Sequence, residues 1–483
     1  MMIIKKGNNM TTSYDLKTEN WISTLQGSHN LISVFEHAHE IESTAFSQPL
    51  QNLAFTRMFL PVLYRAYGLN NEEEWKALWE KGCFDKSTTN YLNSFCFDLL
   101  DTKKPFLQDP KLQTKKKESV NRLNFLTDAD ASWSSRNFIK TTSVQAEDVA
   151  IQLMTLQSFA LNTGKGLGEH RSTFHASSQR GMPVLLTGKN LFQTFMLNAH
   201  PLDENLNIPQ TEEDSPVWED ESPVLNDNKV RGYMQYLTRC SRSIKLLPND
   251  NGTFSYMYWD KGNEPIEGLR DPFVVYKNTK DGYKPLRFSH AEHLWNNFKS
   301  FVISVKAGVA DGEYVFANNE NLDIFDDMID FGYQSYGFYM DDKLTKYKMI
   351  SEDVLPLSTD CIKNDDIQEI ICQVVEEANR VGVHLRSFVY RLYKQFTLES
   401  PEQVKVLFWS EANTLFLEFM SQKTVEAKIS FVKKIREVAH KLFMNETRKL
   451  MSGSRKNVLE YLYQKGNLKS FEIILFNKGK KNE

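Results

Sequence analysis

Apolar residues recur at intervals of three and four in two stretches of the chain, one near its start and one from about residue 365 onward, and the pattern between them is mixed. Intervals of three and four place side chains on one face of a helix. Leu31, Ile32, Phe35 and Ala38 form one such face within a helical stretch over 29–68. Pro49 sits at a first helical turn, where its missing N–H costs nothing, and Leu50, Leu53, Ala54, Met58, Leu60 and Leu63 follow it. Further helices are predicted over 72–82 and 87–100, and Trp21-Ile22 reads as a short strand ahead of them. Residues 101–145 are polar and irregular, with Lys103, Lys104, Lys115, Lys116 and Lys117; loops of this length usually carry function or are disordered. Helical spacing returns over 144–161 through Val149, Leu153, Leu156 and Phe159, and ends in the glycine-rich run Thr163-Gly164-Lys165-Gly166-Leu167-Gly168.

Between 180 and 300 strand and turn signals alternate. Val184-Leu185-Leu186 and Phe273-Val274-Val275-Tyr276 read as buried strands, and Asn251-Gly252 and Asp281-Gly282 as hairpin turns. Val302 to Val315 and Ser335 to Met340 are further candidate strands. From 365 the pattern is helical. Ile367, Ile370, Ile371, Val374, Val375, Ala378 and Val381 make a stripe, and Ser400-Pro401-Glu402-Gln403 reads as a capping box with proline at the first helical position. Thr424 starts a third helix, and Ser452-Gly453-Ser454 breaks it from a last one through Leu459 and Leu462. Helices joined by short loops pack as antiparallel bundles. The expectation is therefore an α+β chain, with a large mixed N-terminal domain over 1–360 and an all-α four-helix bundle over 361–483, without internal repeats.

Composition agrees with a globular chain: 41% of the 483 residues are hydrophobic and 25% charged. The net charge of -4 gives no global basic field. Locally the charge is uneven. Residues 201–228 hold nine acids and no Lys or Arg, whereas 421–483 hold fifteen Lys/Arg against six acids. A basic C-terminal region suits an assembly subunit with a polyanionic partner, or simply a solvated surface. The five cysteines are odd in number and none has the spacing of a zinc knuckle, so no disulfide framework and no metal are expected and a reducing cytoplasm fits. The opening MMIIKKGNNM lacks the apolar core of a signal peptide, and no run approaches the length of a membrane span.

Signatures of catalysis are missing. There is no His-Glu-x-x-His, Gly-x-Ser-x-Gly, P-loop or Cys-x-x-Cys motif. The glycine run follows a helix instead of a strand, so it fits neither phosphate-cradling motif. It reads as a helix C-terminal turn, or as bare backbone that another chain can approach closely.

Several segments in order carry a resemblance: Trp21-Ile22, Leu60-Pro61-Val62-Leu63-Tyr64, Pro105-Phe106-Leu107-Gln108, Gly181-Met182-Pro183, Pro216-Val217-Trp218-Glu219, Gly232-Tyr233, Ser241-Arg242-Ser243-Ile244, Asp271-Pro272 and Tyr336-Gly337-Phe338-Tyr339. Taken together the chain resembles the CasA family, the large subunits of the type I-E CRISPR Cascade complex. That resemblance implies a non-enzymatic, cofactor-free cytoplasmic subunit of a ribonucleoprotein in antiviral defence. Its expected partners are the backbone, guide-end-binding and small Cascade subunits, the CRISPR guide RNA, target double-stranded DNA and a helicase-nuclease. Its expected task is to recognise the motif beside a protospacer and to start R-loop formation.

The resemblance also assigns DNA-binding residues. The glycine loop falls on Gly164, Gly166 and Gly168 with Lys165 beside them, a lysine finger on Lys261, and a duplex-opening wedge on Asp341, Asp342 and Lys343. Asn137 and Phe138 fall where the family anchors a loop to the complex and guide. Basic residues of the bundle, among them Lys433, Lys434, Arg436, Lys441, Arg448 and Lys449, are candidates for backbone contacts to DNA. Two further readings stand beside this one: the large subunit of another type I subtype, and a soluble enzyme that uses the glycine run as a nucleotide cradle. An assembly protein without a DNA role is a third.

Overall fold

The structure is a computed structural model. It describes residues 13–476 apart from 125–141, 161–175, 177–180, 182, 203–206, 225–228, 288–292, 303–313, 320–321, 323, 326–327 and 341–346. The chain forms two compact units, Met1–Phe288 with Ser304–Leu357, and Ser289–Ile303 with Ser358–Glu483.

The first unit is mixed. β1 (Ile22–Thr24) and β2 (Gly27–His29) form a small antiparallel ribbon, and α1 (Leu31–Glu36) follows an Asn30 cap. α2 (Pro49–Tyr67) is apolar almost all round and buried along most of its length, as a central core helix must be. It begins with Pro49 and stops at Gly68, whose φ of 89° suits glycine. α3 (Glu72–Lys81) is capped by the Asn71 side chain and carries three glutamates in its first turn, where the helix dipole favours them. α4 (Lys86–Asn93) is shorter than the expected 87–100, because Ser94 turns the chain into the buried loop holding Phe97 and Phe106. Trp21, Phe55, Phe59, Phe97, Phe106 and Trp218 form an aromatic core on α2, with Phe59 and Phe106 stacked at 6.2 Å.

β3 (Glu118–Ser119), α5 (Ala146–Phe159), β4 (Val184–Thr187), α6 (Leu191–Asn198) and α7 (Tyr233–Thr238) lead to a long hairpin of β5 (Arg242–Pro248) and β6 (Phe254–Lys261). The predicted Asn251-Gly252 turn closes that hairpin, with Gly252 at φ 79°. β7 (Tyr276–Thr279) and β8 (Gly282–Pro285) form the second predicted hairpin, and β9 (Tyr314–Val315) adds to its edge. β10 (Asp330–Met340) pairs with β4 on one side and neighbours β11 (Tyr347–Ser358) on the other. One expected strand is corrected. Phe273 lies in a buried turn, because Asp271 accepts from the N–H of Phe273 through its carboxylate and from that of Val274 through its carbonyl; Val274 makes an isolated bridge to Pro183, and a strand starts at Tyr276. Of the expected strand over 302–315, Val302 ends a helix, Tyr314–Val315 is strand, and 303–313 lie outside the described residues.

The second unit is helical. α8 (Phe298–Val302) and α9 (Asp360–Lys363) are short. α10 (Asp365–Gln395) buries Ile371, Val374, Ala378, Val381, Leu385, Phe388 and Leu392 along one stripe. α11 (Gln403–Met420) starts later than its sequence signal. Glu402 is already αR and no side chain caps it; the Pro401 carbonyl instead receives the N–H of Val404, so the expected capping box does not form. α12 (Val425–Leu459) is two helical stretches that meet at Ser454, whose φ of -153° and ψ of 61° are non-helical, so the break expected at Ser452-Gly453-Ser454 is present. A π turn at Glu460–Gln464 and Gly466, at φ 65°, then reverse the chain into α13 (Asn467–Phe476).

Candidate nucleic-acid interface

Lys261 is the last residue of β6, directly across from Arg242 at the start of β5. In the sheet order β3-β6-β5 the outer side of β5 is an edge, and edge strands need their outward N–H and C=O groups covered. Here four of them are covered by groups from outside the sheet. Gln157 of α5 accepts from the N–H of Arg242 at 2.8 Å and donates to its carbonyl at 2.9 Å. The carbonyl of Ile244 takes the N–H of Asp109 at 2.8 Å, and the N–H of Leu246 goes to the Gln108 side chain at 2.8 Å. Since both backbone groups of Arg242 point outward, Arg242 and Lys261 form the non-hydrogen-bonded kind of antiparallel pair, in which facing side chains come closest.

Two like charges therefore share one cross-strand position, an arrangement that costs stability unless something negative is near. Arg242 is 1% exposed, its guanidinium lies 5.7 Å from the Trp259 ring centre, and its Nη1 donates to the Ser241 carbonyl. Lys261 is about half exposed and its Nζ lies 2.9 Å from Glu264 Oε1. The Glu264 carbonyl is held by Arg239 Nη2 at 3.1 Å, and Arg239 Nη1 donates to the Lys229 carbonyl. Gly262 lies flat on β5: a Cβ there would stand 2.4 Å from the Cys240 carbonyl oxygen and 2.5 Å from the Arg242 nitrogen. Burial pushes the Cys240 thiol up to about 12, against the pull of Arg239, so no thiolate stands beside the lysine at neutral pH.

The residues predicted for the glycine run, the wedge and the docking segment lie outside the described residues: Gly164, Lys165, Gly166 and Gly168 in 161–175, Asp341, Asp342 and Lys343 in 341–346, and Asn137 and Phe138 in 125–141. Of the basic candidates in the helical unit, Lys434 pairs with Glu418, Arg436 with Glu377 and Lys449 with Glu446. Their flanks are described. The N–H of Ala176 donates to the Ala160 carbonyl at 2.8 Å, which closes the base of 161–175 three residues past Gln157. The base of the glycine run is thus tied through Gln157 and Arg242 to the end of β6 that carries Lys261. On its far side the chain enters β4, where the backbone N–H of Tyr336 donates to the Pro183 carbonyl at 3.2 Å and Ser335 pairs with Val184, in the strand that leads to residue 341. The residues flanking 125–141 lie elsewhere. Asn121 and Thr142 are hydrogen-bonded across it, and Val144 bridges Phe254 at the opposite end of β6, about 23 Å from Lys261 for an eight-residue strand.

The resemblance assigned Lys261, and sequence reasoning assigned no role to its surroundings Gln157, Arg242, Gly262 and Glu264. A glycine directly after a strand-ending lysine was a usable signal for close backbone approach. The Gln157–Arg242 contact spans 85 residues and left no local trace.

Among the described residues no group of three or more His, Cys, Asp or Glu side chains could hold a metal ion, and no helix is long and apolar enough to cross a membrane. The family model of CRISPR-associated protein Cse1 matches residues 15–451.

The chain belongs to the Cse1 family.

Solved structures of similar fold agree. CasA (Cse1) of Thermus thermophilus is 22% identical with a TM-score of 0.78, covering 96% of this chain and 99% of that one. Cse1 of Thermobifida fusca is 16% identical with a TM-score of 0.81, covering 96% and 98%. A chain of a CRISPR RNA-guided surveillance complex is 16% identical with a TM-score of 0.75, covering 96% and 99%. At these identities the likeness carries the fold. No curated protein sequence matches the chain. The mixed first unit and the helical second unit are the Cse1 architecture in this sequence.

Proposed function

We propose that this Cse1-family chain is the large subunit of a type I-E CRISPR surveillance complex and that it binds DNA without catalysing a reaction. Guide RNA supplies sequence recognition by base pairing, and this subunit reads the short adjacent motif, as in other RNA-guided effectors where protein and guide divide the work this way. The motif is read from the minor groove, whose hydrogen-bond pattern is degenerate, so several related motifs are accepted. Lys261 enters the groove, with Gly164, Gly166 and Gly168 presenting bare backbone beside it and Lys165 at a phosphate. Asp341, Asp342 and Lys343 press on the first base step, replacing stacking with protein contact at a cost of a few kcal/mol. Asn137 and Phe138 dock the subunit on the complex, and the helical unit lends cations to the DNA backbone. The opened complex then recruits the helicase-nuclease.

The observation that carries this reading is the conjunction of the Cse1 family match over 15–451 with a half-exposed lysine at a strand end tied to the base of the glycine run. A gel shift tests it, using a reconstituted complex with and without this chain and duplexes carrying matched or mutated flanking motifs. Motif dependence is expected only when the chain is present. A complex that lacks it and still discriminates equally well overturns the reading.

A further inference from the structure

Lys261 needs a defined position if it is to distinguish one base step from the next; its side chain is long and half exposed, with Nζ 2.9 Å from Glu264 Oε1. The backbone beneath it sets where that side chain starts. β6 ends at Lys261, and Gly262 and Asn263 continue its pairing onto Ser241 and Cys240, at 3.2 and 2.8 Å. That pairing is only as fixed as the first residues of β5, which lie on the sheet edge.

We propose that Gln157 is the positioning residue for Lys261, a deepening that rests on the function proposed above. One side-chain amide replaces a missing neighbour strand, satisfying both the N–H and the C=O of Arg242 at 2.8 and 2.9 Å. Gln157 Oε1 also lies 3.4 Å from the Ser241 hydroxyl, which in turn lies 3.4 Å from the Leu156 carbonyl. The amide is 2% exposed, so water does not compete for these groups. α5 is a rigid element, and three residues beyond Gln157 the Ala160–Ala176 bond closes the base of the glycine run. Gln157 therefore locks two motif-reading elements to one frame: the end of β6 that bears Lys261 and the root of the segment that bears Gly164, Gly166 and Gly168. Gly262 completes the lock from the other side, since no side chain fits between it and residues 240–242. The role is positional, for the Gln157 side chain is buried against the edge of β5.

The test uses the full reconstituted complex and reads the ratio of its affinities for matched and mutated flanking motifs, together with the subunit's Tm. Lys261→Ala, Gln157→Ala and the double variant are compared in one cycle, because residues acting through a common element are non-additive. Gln157→Ala is expected to lower the discrimination ratio about tenfold, the size of one lost net hydrogen bond expressed in affinity, while affinity for mutated duplex holds. The double variant is expected to discriminate no worse than Lys261→Ala alone. Gln157→Glu, which keeps the acceptor for the Arg242 N–H but loses the donor, falls between. It also carries the test should the alanine variant fail to fold. If Lys261→Ala lowers discrimination while both Gln157 variants leave it intact, or if the two losses simply add, the positioning role is overturned. If Lys261→Ala itself leaves discrimination unchanged, the lysine assignment in the proposed function fails instead.

Discussion

Arg57, midway along α2, donates Nη1 to Asp271 at 3.0 Å, and neither side chain is more than 2% exposed. The guanidinium lies over the rings of Tyr236 and Phe273, at 5.3 and 5.6 Å, and the Asp271 carboxylate also takes the Phe273 N–H. The pair therefore pins the Asp271-Pro272 turn to the central helix. Removing one partner leaves the other charge buried without compensation, which costs about 3–5 kcal/mol. Asp271→Ala is expected to lose that much in urea unfolding of the mixed unit, and Asp271→Asn, which retains an acceptor, to lose less. A wild-type urea midpoint for Asp271→Ala would mean that the guanidinium finds water or another acceptor.

Trp295 ties Ser289–Ile303 into the helical unit. Its ring stacks on Phe416 at 4.4 Å with planes 8° apart, and its Nε1 donates to Asn413 at 2.9 Å. Asn296 adds a bond to Asn379 at 3.0 Å. Trp295→Ala is expected to cost about 3–5 kcal/mol, the usual range for emptying a large aromatic site. Trp295→Phe keeps the stack and loses only the bond to Asn413. Helical circular dichroism against denaturant measures both, and equal stability of the two variants with wild type would contradict the packing.

Glu377 makes the helical unit acid-sensitive. Burial alone would raise its carboxyl, but hydrogen bonds and charge from Arg380 and Arg436 outweigh that and hold it below the usual carboxylate range. A depressed folded value means that the contribution is fully present above the unfolded value of about 4.3 and is lost as pH falls through the folded one. Arg380 also donates to the Ile474 carbonyl at 3.1 Å, so α13 is held by the same cluster. Wild type is expected to lose stability more steeply than Glu377→Gln as pH drops below about 4.3, with the variant already weaker at neutral pH. Parallel pH profiles would show that the carboxylate contributes nothing.

The elements legible in the sequence are those whose partners are built into their own periodicity. α2 and α10 declare themselves through apolar residues three and four apart, and the two hairpins through Asn251-Gly252 and Asp281-Gly282. What stayed hidden depends on residues far along the chain. Trp295 finds Phe416, and Gln157 finds Arg242, without any local signal. Ser400-Pro401-Glu402-Gln403 misleads for a different reason: the pattern is right, but the Pro401 carbonyl is drawn into a turn with Val404 and the helix starts later. Ser452-Gly453-Ser454 supplies weak helix formers, and the helix is interrupted there at Ser454, so this break was legible from local composition alone. For the proposed interface, Lys261 was assigned by the family resemblance, whereas the frame that holds it could be read only in three dimensions.

Glu264 sets how strongly Lys261 attracts any polyanion. The two side chains pair at 2.9 Å while both remain substantially exposed, which limits the pair to about 0.2–1 kcal/mol. In the proposed mode a phosphate or base acceptor competes with Glu264 for the same ammonium. Glu264→Gln removes the competitor and leaves a neutral side chain of the same shape, so affinity for duplex is expected to rise by about twofold to fivefold. The gain is expected on both matched and mutated flanking motifs, and is larger on the matched one, whose groove Lys261 enters in the proposed mode. The freed ammonium also adds about one counterion-releasing contact, so the plot of log affinity against log salt steepens by about 0.9. Titration of the reconstituted complex with both duplexes at several salt concentrations measures all three quantities. A gain confined to the matched motif would mean that Glu264 takes part in reading it, and an unchanged slope would place the DNA backbone away from this end of β6.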